Sequence, residues 1–311
     1  IPPAHQEVNE FRKSYRRLFS NLNRHAKPTS KLTNIIMDED DRFAIITRRL
    51  VTDFEFFQWD GLETSIQKVD TKLNSENISS INPSFCGLIN LYKMNIYLLW
   101  DQLIMNDYGA GNIFASSNKV YQDQASDEEI DNLYEHLERI WDALIITLPD
   151  LNKDAPEMRN HSSLEEVVEG TAPKEDSLLF WPIGQYLMSR LARRLMNERG
   201  IDRNSSAIEI SEVLKPLSLV PWSLRHPLWL YFLLVVNEKE EMVMANEQQA
   251  ARVKLGYQIL LWLVGEEELN QEFLEQTRNR WSSYLMPNKD ETYDVATFEE
   301  LIRIRESILA L

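Results

Sequence analysis

Along most of the chain, apolar residues recur at three- and four-residue steps, the period of a helix with one buried face. Val8, Phe11, Tyr15, Leu18, Phe19 and Leu22 form one such stripe. They predict a helix from about His5 to Arg24 whose apolar side is buried, with Arg12, Lys13, Arg16 and Arg17 beside or opposite the stripe. Ala26-Lys27-Pro28-Thr29-Ser30 stops it, because proline disfavours a helical residue before it. A second helix is expected from near Asp38, where acidic residues suit a helix N-terminus, with Ala44, Ile45, Leu50 and Val51 on its apolar face. Residues 53–60 are too aromatic to be solvated and read as a short strand or extended segment. Pro83 suits the first position of a helix that carries Phe85, Leu88, Ile89, Tyr92, Ile96, Leu99 and Leu103.

Ser126 followed by Glu129 is a capping-box spacing. The helix behind it turns Ile130, Leu133, Leu137, Ile140, Trp141, Leu144 and Ile145 inward and stops near Pro149. A helix from Pro182 to Arg199 ends on Gly200, and a short one from about Ser205 to Leu214 ends before Pro216. A short strand pair is expected within 228–244, around Asn237-Glu238-Lys239. Helices follow near Gln248–Val264, Glu267–Tyr284 and Thr297–Leu309. Long loops are expected near 106–125 and 150–177. The fold class is therefore mainly α, with a few short strands and no fixed-period repeat.

Composition narrows this picture. Only 9 of 311 residues are glycine, which argues against a turn-dense all-β fold and against a glycine-rich phosphate loop. Cys86 is the one cysteine, so an internal disulfide or a cysteine-based zinc site is excluded. It reads as a small buried apolar residue, and a reduced, cytoplasmic setting is expected. The most apolar stretch, Pro227 to Val236, is far shorter than the ~20 residues that span a bilayer, so no membrane partner is expected.

The net charge is −16, which excludes a uniformly basic nucleic-acid binder but not a local site. That charge is unevenly spread. The first fifty residues hold ten basic and six acidic side chains, a balance of +4, which leaves −20 for the other 261. Contact with a polyanion is expected at this end.

No catalytic-triad spacing, HExxH, EF-hand loop or Walker motif occurs, so catalytic residues stay unassigned. The five histidines are scattered, and no metal site is selected. The most informative segment is 16–30, where a helix ending in Asn21, Asn23 and Arg24 meets a turn with Lys27, Thr29 and Ser30. Amides, hydroxyls and cations converging at a turn suit phosphate contact; the alternative is a solvated charged helix with an ordinary stop. Arg12, Lys13, Arg16 and Arg17 are candidates for the same role. Arg190, Arg193 and Arg194 form a second cluster, which either meets nucleic acid or pairs with carboxylates of its own chain. Trp181, Trp222 and Trp229 either stack on bases or pack a core.

The segment Arg17-Leu18-Phe19-Ser20-Asn21-Leu22-Asn23-Arg24-His25-Ala26-Lys27-Pro28-Thr29, with Asp38 to Val51 behind it, resembles the DGQHR-motif family, which includes DndB of bacterial DNA phosphorothioation systems. Leu178 to Gln185 resembles its C-terminal half, as does Pro221-Trp222 with a following methionine (Met242 or Met244) and a helix closing at Leu263-Val264-Gly265. The namesake Asp-Gly-Gln-His-Arg does not occur here. The first residue is Ile1 rather than Met, so the chain is expected to continue a longer polypeptide.

The resemblance implies a basic helical segment, residues 1–52, completing a ParB-like α/β motif domain, and an acidic α-helical body over 53–311. It implies a DNA-binding, regulatory component of a DNA-modification or phage-defence system. DNA and other modification or defence proteins are the expected partners, with a homo-oligomer and a nucleotide cofactor left open. Two other classes stay open beside it: an acidic helical scaffold without DNA contact, and a nuclease or nucleotide-hydrolysing enzyme.

Overall fold

The computed structural model describes residues 13–18, 30–58, 68–99, 126–159, 176–230, 232–236, 242–244, 249–265, 271–284 and 292–311. The expected loop at 106–125, most of that at 150–177, and the turn at 21–29 lie outside the described residues. The fold is mainly helical, as the periodicity predicts, with two short strand pairs among the described residues. The chain divides into two compact units. The first comprises Ile1–Ile78, Pro83–Trp141 and Asp202–Asn204; the second comprises Ser79–Asn82, Asp142–Ile201 and Ser205–Leu311.

In the first unit, residues 13–18 are helical and are followed by α1 (Lys31–Met37) and α2 (Arg42–Asp53). Ser30 caps α1, its hydroxyl accepting the Thr33 N–H at 3.1 Å. Asp41 caps α2 by accepting the N–H groups of Phe43 and Ala44, close to the start expected from the acidic run. Its other oxygen accepts the Tyr92 hydroxyl at 2.5 Å. Burial raises the Asp41 carboxyl above its ordinary range, against the pull of Tyr92 and the helix amides.

Residues 53–58 are not a strand. The end of α2 runs into a turn at 55–57 that buries Phe54 and Phe57, and Phe57 meets Trp141 edge-on with ring centroids 5.0 Å apart. β1 (Val69–Asp70) pairs in parallel with β2 (Cys86–Gly87), where Cys86 is buried. α3 (Leu88–Leu99) starts five residues after Pro83, because residues 86 and 87 are drawn into that pairing. It is apolar nearly all round and lies in the core, as such a pattern requires. α4 (Asp127–Thr147) begins behind Ser126, whose hydroxyl accepts the Glu129 N–H, and it buries Leu133, Leu137, Ile140, Trp141 and Leu144.

The second unit opens with short turns, among them α5 (Ala155–Met158). Arg159 behind it is fully buried, and its guanidinium donates to the carbonyls of Phe180 and Asn82 at 2.7 and 2.8 Å. α6 (Pro182–Glu198) follows a 3-10 turn at Leu178–Phe180 and packs closely against it. Gly200, at φ +69°, ends the segment as expected. α7 (Ala207–Leu214) and α8 (Pro216–Leu219) come next. β3 (Leu234–Val236) and β4 (Met242–Met244) form the antiparallel pair expected around Asn237. α9 (Gln249–Leu263), α10 (Gln271–Ser282) and α11 (Thr292–Leu309) complete the unit.

The three tryptophans considered for base stacking are core residues. Trp181, Trp222 and Trp229 are buried, with Trp222 and Trp229 donating to the carbonyls of Leu217 and Pro221. No base can stack on a ring that is already covered.

Candidate nucleic-acid interface

Residues 13–18 are exposed on every side of the helix. Tyr15 and Leu18, two residues of the apolar stripe, are 61% and 59% exposed. The basic side meets carboxylates of the same unit. Lys13 Nζ lies 3.0 Å from Asp127 Oδ1, Arg16 Nη1 3.1 Å from Glu39 Oε1, and Arg17 Nε 3.2 Å from Asp40 Oδ1. These ion pairs join the helix to the Glu39-Asp40 turn and the start of α4, while Val8, Phe11, Phe19 and Leu22 of the stripe lie outside the described residues.

α2 adds two cations on one face. Arg42 and Arg49 are seven residues apart, two helical turns, and so point the same way. Arg42 donates to Glu129 at 2.9 Å and Arg49 to Asp131 at 2.6 Å. The Arg49 guanidinium also lies 4.1 Å from the centroid of the Tyr134 ring. Burial, and the neighbouring Glu138 carboxylate that accepts the Tyr134 hydroxyl, push that phenol up to about 12. Arg48 is spent on structure: it donates to Glu39 and to the carbonyls of Ile35 and Asp38, which ties α1 to α2.

Between these elements is a cleft of about 320 Å³ inside the first unit. Its walls carry four cations, Lys13, Arg17, Arg42 and Arg49, and four carboxylates, Glu39, Asp40, Asp127 and Asp131. Ile45 and Ile130 supply its apolar surface. The lining is formally neutral, so it neither attracts nor repels a phosphate at long range. Lys13–Asp127 and Arg49–Asp131 are more than half exposed on at least one side, and such pairs contribute about 0–1 kcal/mol each. They are therefore exchangeable. Among the described residues, no three His, Cys, Asp or Glu side chains group as metal ligands would.

Lys13, Arg16 and Arg17 are thus brought together on one unit. Arg12, Asn21, Asn23, Arg24, Lys27 and Thr29 lie outside the described residues. Ser30, counted with the turn hydroxyls, is engaged as the cap of α1. In the second unit, Arg190 stacks 4.0 Å from the Tyr257 ring centroid and Arg194 pairs with Glu198 at 2.8 Å, while Arg193 is half-buried. Sequence reasoning counts Arg42 and Arg49 among the basic residues but does not place them in a site. Their i, i+7 spacing is the available signal. The same holds for Asp127 and Asp131, one turn apart on α4.

A family model, DndB (DNA-sulfur modification-associated), matches residues 8–260. The chain belongs to the DndB family. Membership associates it with DNA sulfur modification, that is, with a phosphorothioation system. The match spans every residue of the cleft and ends within α9, so α10 and α11 lie beyond it. No curated protein and no solved structure matches the chain. Among the described residues, no helix is long and apolar enough to cross a membrane.

Proposed function

We propose that this DndB-family chain contacts DNA through the basic side of its N-terminal region and acts as a DNA-binding, regulatory component of a phosphorothioation or phage-defence system in the cytoplasm. The observation that carries this is the balance of +4 over the first fifty residues of a chain whose overall charge is −16, with Lys13, Arg17, Arg42 and Arg49 gathered around one cleft beside carboxylates that a phosphate would have to replace. A protein this acidic meets a polyanion only where cations are concentrated locally. Arg12, Arg16, Asn21, Asn23, Arg24, Lys27 and Thr29 belong to the same proposed surface. Proteins of the modification machinery are its proposed partners.

The test is DNA affinity as a function of salt, for the chain and for a Lys13→Ala/Arg16→Ala/Arg17→Ala variant. Each phosphate contact contributes about 0.9 to the log–log slope, so the variant should bind more weakly and with a slope flatter by up to about three. Equal slopes for the two proteins would refute the assignment.

One observation favours a second reading, a scaffold that binds other proteins and not DNA: Lys13, Arg16 and Arg17 each already have a carboxylate partner. A scaffold shows no DNA binding even at low salt, so the same titration separates the two.

A further inference from the structure

Asp127 and Asp131 hold two of the cleft's cations. Asp127 Oδ1 is 3.0 Å from Lys13 Nζ, and Asp131 Oδ1 is 2.6 Å from Arg49 Nη1. A carboxylate and a phosphodiester offer a cation the same thing: one negative charge and oxygens that accept charge-assisted hydrogen bonds. The two aspartates are one turn apart at the start of α4, on the cleft wall that also holds Arg42 and Arg17 within reach of the same space. Both are well exposed, Asp127 at 82% and Asp131 at 62% of the side chain, so solvent and salt already weaken their hold. A nucleic-acid backbone has an advantage over a single carboxylate, because each phosphate it brings releases condensed counterions.

We propose that the cleft is a phosphodiester exchange site. Backbone phosphates of DNA take the places of Asp127 and Asp131 on Lys13 and Arg49, and Arg42 and Arg17 flank them as further phosphate contacts. This deepens the DNA-contact reading and rests on it. It adds Arg42 and Arg49 to the binding surface. It also gives the acidic residues a role, since they keep the cleft neutral when DNA is not bound. Only a ligand that engages several cations at once overcomes that competition. An isolated anion, which would replace one carboxylate with one charge of the same kind, gains nothing.

The experiment compares the chain with Asp127→Asn/Asp131→Asn, using a short mixed-sequence DNA duplex as probe over a salt series. A second pair, Asp150→Asn/Glu212→Gln, makes the same charge change at exposed lysine-paired acids in the other unit. The cleft variant should bind about tenfold tighter at low salt, and the control pair should change affinity much less. Adding Arg42→Gln/Arg49→Gln to the cleft variant should cancel the gain and flatten the slope by about two. Should Asp127→Asn unfold the start of α4, Asp131→Asn alone keeps the first-turn acids and should still tighten binding about threefold.

A cleft variant that binds like the original chain, or no better than the control pair, overturns the exchange and leaves the DNA-contact reading standing. Absence of binding by every protein at low salt overturns both.

Discussion

Asn95 is a fully buried polar residue on a largely apolar helix, and its two partners explain it. Its amide donates to Thr47 Oγ1 at 2.9 Å and accepts the Trp141 indole N–H at 3.0 Å, joining α2, α3 and α4 at a point with no exposed surface. Asn95→Ala strands both partners, at roughly 1–3 kcal/mol for each unsatisfied buried group. A loss of about 2–6 kcal/mol in denaturant unfolding of the first unit is expected on that account. His226 offers a test in pH. Its Nδ1 accepts the Leu228 N–H at 3.1 Å, and Nε2 lies 3.5 Å from Glu300. Burial holds the imidazole below its usual value of 6.5, against the pull of Glu300. Just below pH 6.5 the unfolded chain therefore binds the proton and the folded chain does not. Stability should fall as the pH drops from 6.5 to the folded value, and no further on this account. His226→Asn, whose side-chain oxygen can still accept the Leu228 N–H, should melt with less pH dependence over that window. Neither pairing is legible in the sequence, because a period identifies a shared face but not the residue on the neighbouring element.

Helices whose ends carry their own signals are legible in the sequence. Ser206 and Glu209 form a reciprocal capping box at α7, and Ser206→Ala should cost about 1 kcal/mol of thermal stability. Gly184, within the first turn of α6, has a different reason to be glycine. A Cβ there would fall on the Leu178 carbonyl, which is backbone and cannot step aside. Gly184→Ala should therefore lose more than about 3 kcal/mol in chemical denaturation, or force α6 off the 3-10 turn. α1 escapes the sequence pattern because its seven residues sit between a proline turn and an acidic run, too short to display a period. For residues 13–18 the periodicity gives the right element, and the two stripe residues described there are exposed. Tyr15 and Leu18 mark a genuine apolar stripe, yet four carboxylates, at Glu39, Asp40, Asp127 and Asp131, line the cleft its basic side enters. Two of them are over a hundred residues away along the chain, so no local window contains the information.

Across the whole molecule, the question is which of two arginine-bearing helices faces a polyanion. A chain with a net charge of −16 holds DNA only where its cations can be released to it. In the second unit, Arg190 is committed to the Tyr257 ring, linking α6 to α9, and Arg194 to Glu198 one turn on. A cation–π contact contributes about 0.5–1 kcal/mol and an i, i+4 pair about 0.3–0.5, and the aliphatic stems of half-buried arginines add packing. Replacing Arg190, Arg193 and Arg194 with Ala should therefore lower unfolding stability by about 1–2 kcal/mol and leave the salt slope of DNA binding unchanged. Replacing Lys13, Arg16 and Arg17 should do the reverse, flattening the slope at little cost in melting temperature, since the three cations are about half exposed and the buried Glu39 keeps its pair with Arg48. Measured side by side, melting curves and salt slopes form a crossed design in which each triple variant moves one readout. If the α6 variant flattened the slope while melting normally, DNA contact would belong to the second unit, and the cleft between the basic helix and α4 would be a structural ion-pair network.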